Sequence, residues 1–324
     1  MDIYVKKAII HQFSPDDTDL YLADKFLNIT PKIEEYLRKK IERVYSDEAR
    51  TGIFEEDNPF LEMISDDLLE TSVAVANRWK EEFVVSENQK TNDLVFIQFS
   101  KEGVEHFAFL RIALRETLTH LGGEVDNPIK LTQNNLPGFG TGADEALVIN
   151  LQSRKYHLIE KRIKYNGTFL NYFSENLLQA QPKISPKKSI KALEKTAQKI
   201  AESFNTDDFQ FQSKVKSAIF NHIEEENKLS PEKLADDLFD DNLTARLSFI
   251  DQVKEAVPEP VTFEEIDASR QLKKFENQKL SLSNGIELIV PNNVYEDAES
   301  VEFILNDNGT YSILIKNIED IQSK

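Results

Sequence analysis

The sequence predicts an α+β protein: an N-terminal, mainly antiparallel sheet with helices, then a helical region with a C-terminal β-meander. Three observations carry this. Two β-branched and aromatic runs, 93–99 and 104–114, flank Ser100-Lys101-Glu102-Gly103, the pattern of a β-hairpin. Helical spacing of apolar residues dominates between Gly167 and Ala256. Asn284-Gly285 and Asn308-Gly309 each sit between short apolar runs, and Asn-Gly is a strong short-range hairpin signal.

Taken in order, residues 3–13 alternate and cluster as a strand, followed by the polar turn Ser14-Pro15-Asp16-Asp17. Thr30 is an N-cap and Pro31 suits the first helical position, with Ile33, Tyr36, Leu37, Ile41 and Val44 at helical spacing. Gly52-Ile53-Phe54 interrupts. A second helix begins near Asn58-Pro59 and carries Phe60, Leu61, Ile64, Leu68, Val75 and Trp79 on its apolar face. Residues 125–132 and 146–151 are further strands, and 134–144 between them is a polar, Gly-rich surface loop.

Phe169, Leu170, Phe173 and Leu177 mark one helical face; Ser185-Pro186 and Ser230-Pro231 start further helices by Ser-cap, Pro-first logic. Val257-Pro258-Glu259-Pro260 ends the helical region, because closely spaced prolines break helices. The expected division is a 1–165 N-terminal α+β domain and a 166–324 helical domain with C-terminal β-hairpins. No internal repeat is present at solenoid periods.

Composition narrows the function classes. The 324 residues hold 39 Lys+Arg against 57 Asp+Glu, a formal net charge of −18, which excludes a protein coated in positive charge. With no cysteine, disulfides, thiolate nucleophiles, iron–sulfur clusters and cysteine zinc sites drop out. No apolar run approaches the roughly 18–20 residues of a membrane span, and Met1–Phe13 lacks the form of a signal peptide, so a cytoplasmic protein is expected.

The positive charge is concentrated. Residues 151–199 hold eleven basic residues (Arg154, Lys155, Lys161, Arg162, Lys164, Lys183, Lys187, Lys188, Lys191, Lys195 and Lys199) and three acidic ones (Glu160, Glu175 and Glu194). Lys188, Lys191, Lys195 and Lys199 sit at offsets 0, 3, 7 and 11, one stripe of a helix whose other side carries Ile190, Leu193, Ala197 and Ile200. Four like charges in a row repel one another, and a polyanion is one physical reason to keep them. A solvated face balanced by the acidic remainder is the other reading. In the second basic group, Arg154-Lys155 and Lys161 to Lys164, the aromatics Tyr156, His157 and Tyr165 are interleaved. Such aromatics either stack bases of a single strand or form the core of an amphipathic segment.

Other chemistry is weak. Gly138-Phe139-Gly140-Thr141-Gly142 resembles a dinucleotide fingerprint, but a polar stretch precedes it and a strand-like run follows, where the fingerprint needs strand before and helix after. There is no Walker A pattern, nucleophile elbow or His-Glu-x-x-His. The five histidines are scattered, and the pairs Asp207-Asp208, Asp236-Asp237 and Asp240-Asp241 lack calcium-loop order. No catalytic residue, metal or cofactor is expected.

Four segments, Ile9-Ile10-His11-Gln12-Phe13, Gly52-Ile53-Phe54, Phe169-Leu170-Asn171-Tyr172-Phe173 and Leu229-Ser230-Pro231-Glu232-Lys233-Leu234, in this order and over nearly the full chain, resemble the bacterial 37-kilodalton nucleoid-associated protein family, NdpA or YejK. The resemblance implies a nucleoid-associated, nucleic-acid-binding protein without assigned catalytic residues. It supplies no map of binding residues, so the lysine assignment rests on this sequence. Where a Gly-Arg-like basic element is expected beside Phe169–Phe173, the chain has Lys161-Arg162 and Lys164 before and Ser174-Glu175-Asn176 after.

The expected function is therefore binding of DNA or RNA, mainly by phosphate contacts, through Lys183, Lys187, Lys188, Lys191, Lys195 and Lys199, with Arg154, Lys155, Lys161, Arg162 and Lys164 as a second set. A homodimer would double that basic surface. The alternative is an acidic protein-interaction adaptor that docks on a nucleic-acid enzyme such as a topoisomerase. A metal-dependent nuclease is a third class, for which the chain offers no motif.

Overall fold

The structure, a computed structural model, describes residues 2–16, 19–83, 90–120, 122, 129–165, 167–206, 208–263 and 265–322. It divides into two compact units, Met1–Ser185 and Pro186–Lys324.

The first unit contains β1 (Ile3–Ser14), β2 (Asp19–Tyr21), α1 (Pro31–Glu42), β3 (Arg50–Ile53), α2 (Pro59–Glu62), α3 (Leu68–Phe83), β4 (Asn92–Lys101), β5 (Val104–Ala113), β6 (Arg115–His120), β7 (Ile129–Asn135), β8 (Glu145–Asn150), β9 (Lys155–Ile159), β10 (Ile163–Tyr165) and β11 (Thr168–Leu170). Seven of these strands form an antiparallel sheet in the order β2-β1-β4-β5-β8-β9-β3. The expected hairpin is its centre: β4 and β5 turn through Glu102 and Gly103, both at positive φ (51° and 82°), a geometry that Gly103 adopts without strain.

Both faces of this sheet are covered, which is why its central strands read as continuous apolar runs. Leu94, Phe96, Phe107, Phe109 and Leu147 pack with Trp79 and Phe83 of α3. Val95, Ile97, Phe99, Ala108 and Val148 pack with Leu37 and Ile41 of α1. A bulge between Val5 and Lys7 shifts the alternation of β1 by one residue: Ile3 and Val5 share the α1 core with Ala8, while Ile9 and Phe13 enter the α3 core.

Gly52-Ile53-Phe54 interrupts the helices as expected, and does so as a strand end: Gly52 and Ile53 close edge strand β3, pairing with β9. Several local expectations change. The single helix expected from Asn58-Pro59 is two helices, because Ser65 and Asp67 cap a new start: the Asp67 carboxylate accepts from Leu69 N at 2.8 Å. Of the strand expected at 125–132, residues 125–128 lie outside the described residues; the remainder opens β7, which pairs with β6 in a separate two-stranded hairpin. Phe169 and Leu170 belong to a hairpin with β10 rather than a helix, and a single π-helical turn, Phe173–Leu177, follows.

The first unit extends to Ser185, twenty residues past the expected 165/166 boundary. Tyr172, Phe173, Leu177 and Leu178 lie in the core beneath the sheet, and the Asn58 side-chain amide donates to Leu178 O at 3.0 Å. Tyr172 also closes a buried polar network. Trp79 Nε1 donates to its hydroxyl at 3.1 Å, the hydroxyl donates to Glu145, and Glu145 holds Arg111 at 2.6 Å.

The second unit contains α4 (Pro186–Ser203), α5 (Phe209–Glu226), β12 (Lys228–Leu229), α6 (Pro231–Leu238), α7 (Leu243–Ala256), β13 (Val261–Thr262), α8 (Ser269–Phe275), β14 (Asn277–Ser281), β15 (Glu287–Pro291), α9 (Asn292–Tyr295), β16 (Val301–Leu305) and β17 (Tyr311–Ile315). Ile190, Leu193, Ile219, Ile223, Leu234, Phe249 and Phe263 form its core. The C-terminal strands pair as two hairpins, β14–β15 and β16–β17, each its own two-stranded sheet. Phe303 and Tyr311 seat the last hairpin on Phe209, ring centroids 5.2 Å apart in each case.

Candidate nucleic-acid interface

Helix α4 opens at Pro186 and runs eighteen residues. Its amphipathic pattern decides its orientation: Ile190, Leu193, Ala197, Ile200 and Ala201 are buried in the core of the second unit. Lys187, Lys188, Lys191, Lys195 and Lys199 are all exposed. From Lys188 to Lys199 the row spans about 16 Å at 1.5 Å per residue.

The row keeps its charge. Among the described residues no carboxylate pairs with Lys188, Lys191 or Lys195. Lys199 donates to the neutral side-chain oxygen of Gln252 at 3.0 Å. The two acids of α4 are engaged elsewhere: Glu202 accepts from Gln198 at 3.3 Å, and Glu194 pairs with Lys274 of α8 at 3.1 Å. Lys274 is a residue that sequence reasoning missed. It lies eighty positions from Glu194 and no local pattern brings it to α4. Its ammonium also sits 4.2 Å from the Phe275 ring centroid. With Glu194 neutralised by Lys274, the Lys188–Lys199 face is positive along its whole length.

The second basic group is arranged differently. Arg154 sits 3.7 Å from Glu56, and Lys161 is 2.6 Å from Asp144. Asp144 is held below the usual carboxylate range by the Lys161 hydrogen bond and charge and the Ala113 N–H, against the opposing effect of its burial. Glu160 is taken by Arg50. Lys155 and Lys164 are exposed on β9 and β10, and Arg162 is exposed between them. Tyr156 and His157 are not available to stack bases. Tyr156 is buried against Phe54 at 4.4 Å, and His157 against Tyr45 at 4.6 Å. They alternate on β9, and a sheet covered on both faces buries both. The Tyr165 side chain falls outside what the structure describes. Lys183 has an exposed side chain, and its backbone N–H donates to Thr51 O at 2.7 Å, ending the first unit on β3.

The remaining sequence candidates are placed by local contacts. Gly138 to Gly142 lead into strand β8, not a helix. His11 is buried, its Nε2 2.9 Å from Ser72 Oγ and its Nδ1 accepting from Ala23 N at 3.0 Å. His222 lies 2.7 Å from Asp237. Among the described residues no group of three or more His, Asp or Glu is placed to hold a metal ion, and no helix is long and apolar enough to cross a membrane.

No curated protein matches the chain. A family model described as nucleoid-associated protein YejK matches residues 9–321, nearly the full length and both units. The chain therefore belongs to the nucleoid-associated protein YejK family, and a nucleoid-associated role comes with that membership.

Proposed function

We propose that the protein binds DNA or RNA directly, mainly through phosphate contacts and without catalysis, with α4 as the principal surface. The observation that supports this is the row Lys188, Lys191, Lys195 and Lys199, exposed and without a carboxylate partner among the described residues, on a chain of net charge −18. Lysine engages phosphate as a point charge rather than a bidentate fork, so affinity comes with little sequence readout. Lys183, Lys187, Arg154, Lys155, Lys161, Arg162 and Lys164 are secondary contacts, and Glu56 and Asp144 lie against Arg154 and Lys161. The acidic remainder repels nucleic acid elsewhere and so orients the molecule.

The test is fluorescence anisotropy of the purified protein with labelled single- and double-stranded DNA and RNA across a salt series. Four phosphate contacts give a log–log salt slope of about −3 to −4. The variant with Lys188, Lys191, Lys195 and Lys199 changed to Glu loses binding with an unchanged circular dichroism spectrum. Unchanged affinity in that variant would refute the assignment to α4.

A second reading, docking on a basic nucleic-acid enzyme such as a topoisomerase, is favoured by one feature of the second unit. A cleft of about 530 Å³ is lined by five acids, Glu225, Glu226, Asp236, Asp237 and Glu296, against Lys214, Lys233 and His222, so acids outnumber bases on its wall. Absence of nucleic-acid binding even at low salt shifts the function to that surface.

A further inference from the structure

Lys40 is fully buried on α1, yet among the described residues no carboxylate pairs with it. Its ammonium is held by three backbone carbonyls of the glycine-rich loop: Pro137 at 3.3 Å, Gly138 at 2.8 Å and Thr141 at 2.5 Å. It also lies 4.4 Å from the Tyr36 ring centroid, and the Tyr36 hydroxyl donates to Pro137 O at 3.0 Å. The loop is thus clamped from beneath by one cation and one phenol. A buried ammonium without an anion is costly, and solvating carbonyls offset only part of that cost.

Two more cations stand beside the loop: a Cβ at Gly142 would lie 3.7 Å from Arg43 Cδ, and Arg115 pairs with Asn135 where the loop begins. Arg43, following α1, and Arg115, opening β6, are both exposed, and neither has an ion-pair partner among the described residues. Their charges add to burial in lowering the Lys40 pKa to about 8. Glu42 does not relieve them, since Arg38 and Lys39 each hold it at 3.0 Å. Above the clamp, Phe139 is 43% exposed and is propped edge-on by Tyr36 at 5.4 Å. Nothing lies within 4 Å of where a Cβ would stand at Gly138 or Gly140, so the loop's outer edge is open on both sides of that ring.

We propose that this loop is a second nucleic-acid site, in the first unit, that takes a single strand: its phosphates between Arg43 and Arg115, and a base against Phe139. Cations that repel one another with an exposed aromatic beside them are the two components of single-strand recognition. An arriving phosphate supplies a counter-charge to Arg43 and Arg115, which have no ion-pair partner among the described residues. The inference rests on the nucleic-acid reading and adds the single-strand preference that α4, a row of point charges, cannot provide.

The experiment uses the full chain with a fluorescein-labelled oligothymidylate and a duplex of equal length. Phe139→Ala weakens single-strand binding about tenfold, as loss of one stacked base does, and leaves duplex binding and the salt slope unchanged. Arg43→Gln with Arg115→Gln makes the single-strand salt slope shallower by about 1.4. All three positions are at the surface, so the fold is retained. Phe139→Trp gives an independent readout: the one native tryptophan, Trp79, is buried, and the added indole is quenched when the oligonucleotide binds. Binding without quenching, or wild-type affinity and slope in the loop variants while the α4 variant loses binding, overturns this inference alone. Absence of binding by the wild-type protein overturns the nucleic-acid reading with it.

Discussion

Glu194 lies one turn from Lys191 and next to Lys195, yet its carboxylate sits 3.1 Å from Lys274 on α8. That single tertiary contact draws the acid beside the lysine row away from it. Without it, an acid would sit in the middle of the lysine row and neutralise part of it.

The contact is testable from both ends. Lys274→Gln frees Glu194 to pair with the lysines of its own helix, and nucleic-acid affinity falls about two- to fivefold, the range of an exposed ion pair. Glu194→Gln removes the competing charge, and affinity rises by a similar factor. Anisotropy titrations at low salt measure both; a fall in both variants would show that Glu194 has another role.

The buried Arg111–Glu145 pair is a stability element of the first unit. Glu145 is fully buried between Arg111 and the Tyr172 hydroxyl, and Arg111 also donates to Asn92 at 2.8 Å. Glu145→Gln leaves the buried guanidinium without its counter-charge, at a cost of about 3–5 kcal/mol. Urea unfolding followed by the emission of Trp79, which bonds Tyr172 in the same network, reads this unit directly. An unchanged midpoint would contradict it.

Gly52 in β3 faces the buried Tyr156 ring so closely that a Cβ would overlap the phenol. Gly52→Ala therefore costs about 1–3 kcal/mol by overpacking, whereas Gly140→Ala, which meets nothing within 4 Å, leaves the midpoint near that of the wild type. Thermal unfolding of the two variants side by side makes the comparison.

His11 sets a pH dependence. Burial lowers its pKa to about 4, and because Nδ1 accepts from Ala23 N, the neutral ring carries its proton on Nε2 toward Ser72. Between that value and the ordinary 6.5 the unfolded chain holds more protons than the folded one. Stability is therefore lost as pH falls from about 6.5 to 4. In His11→Gln that part of the decline disappears, measured as a flatter urea midpoint across the same range.

Much of the fold was legible because the relevant interactions are local. The Thr30 cap with Pro31, the Glu102-Gly103 turn and the Asn-Gly hairpins are each set by a few adjacent residues, and each forms where expected. The apolar spacing that buries Ile190, Leu193, Ala197 and Ile200 also sends the α4 lysines outward, so that face could be read in advance. What local reading missed is the conformation of segments that depend on distant partners. Gly52-Ile53 becomes a strand only because β9 supplies the pairing, and Phe169–Leu177 turns from helix to hairpin and π turn as Tyr172 enters the core.

The fold class, the order of the elements, the concentration of positive charge in 151–199 and the outward face of the α4 lysines could all be read from neighbouring residues. These follow from turn chemistry, helical and strand periodicity and side-chain charge, all properties of neighbouring residues. Which cations meet an acid depends instead on how the chain folds. Arg154 and Lys161 meet acids, Glu194 is withdrawn to Lys274, and Lys40 is buried beneath a glycine loop with Arg43 and Arg115 beside it. Ion pairing and desolvation act over a few ångströms of space, and several of these partners are close in the fold while far apart along the chain.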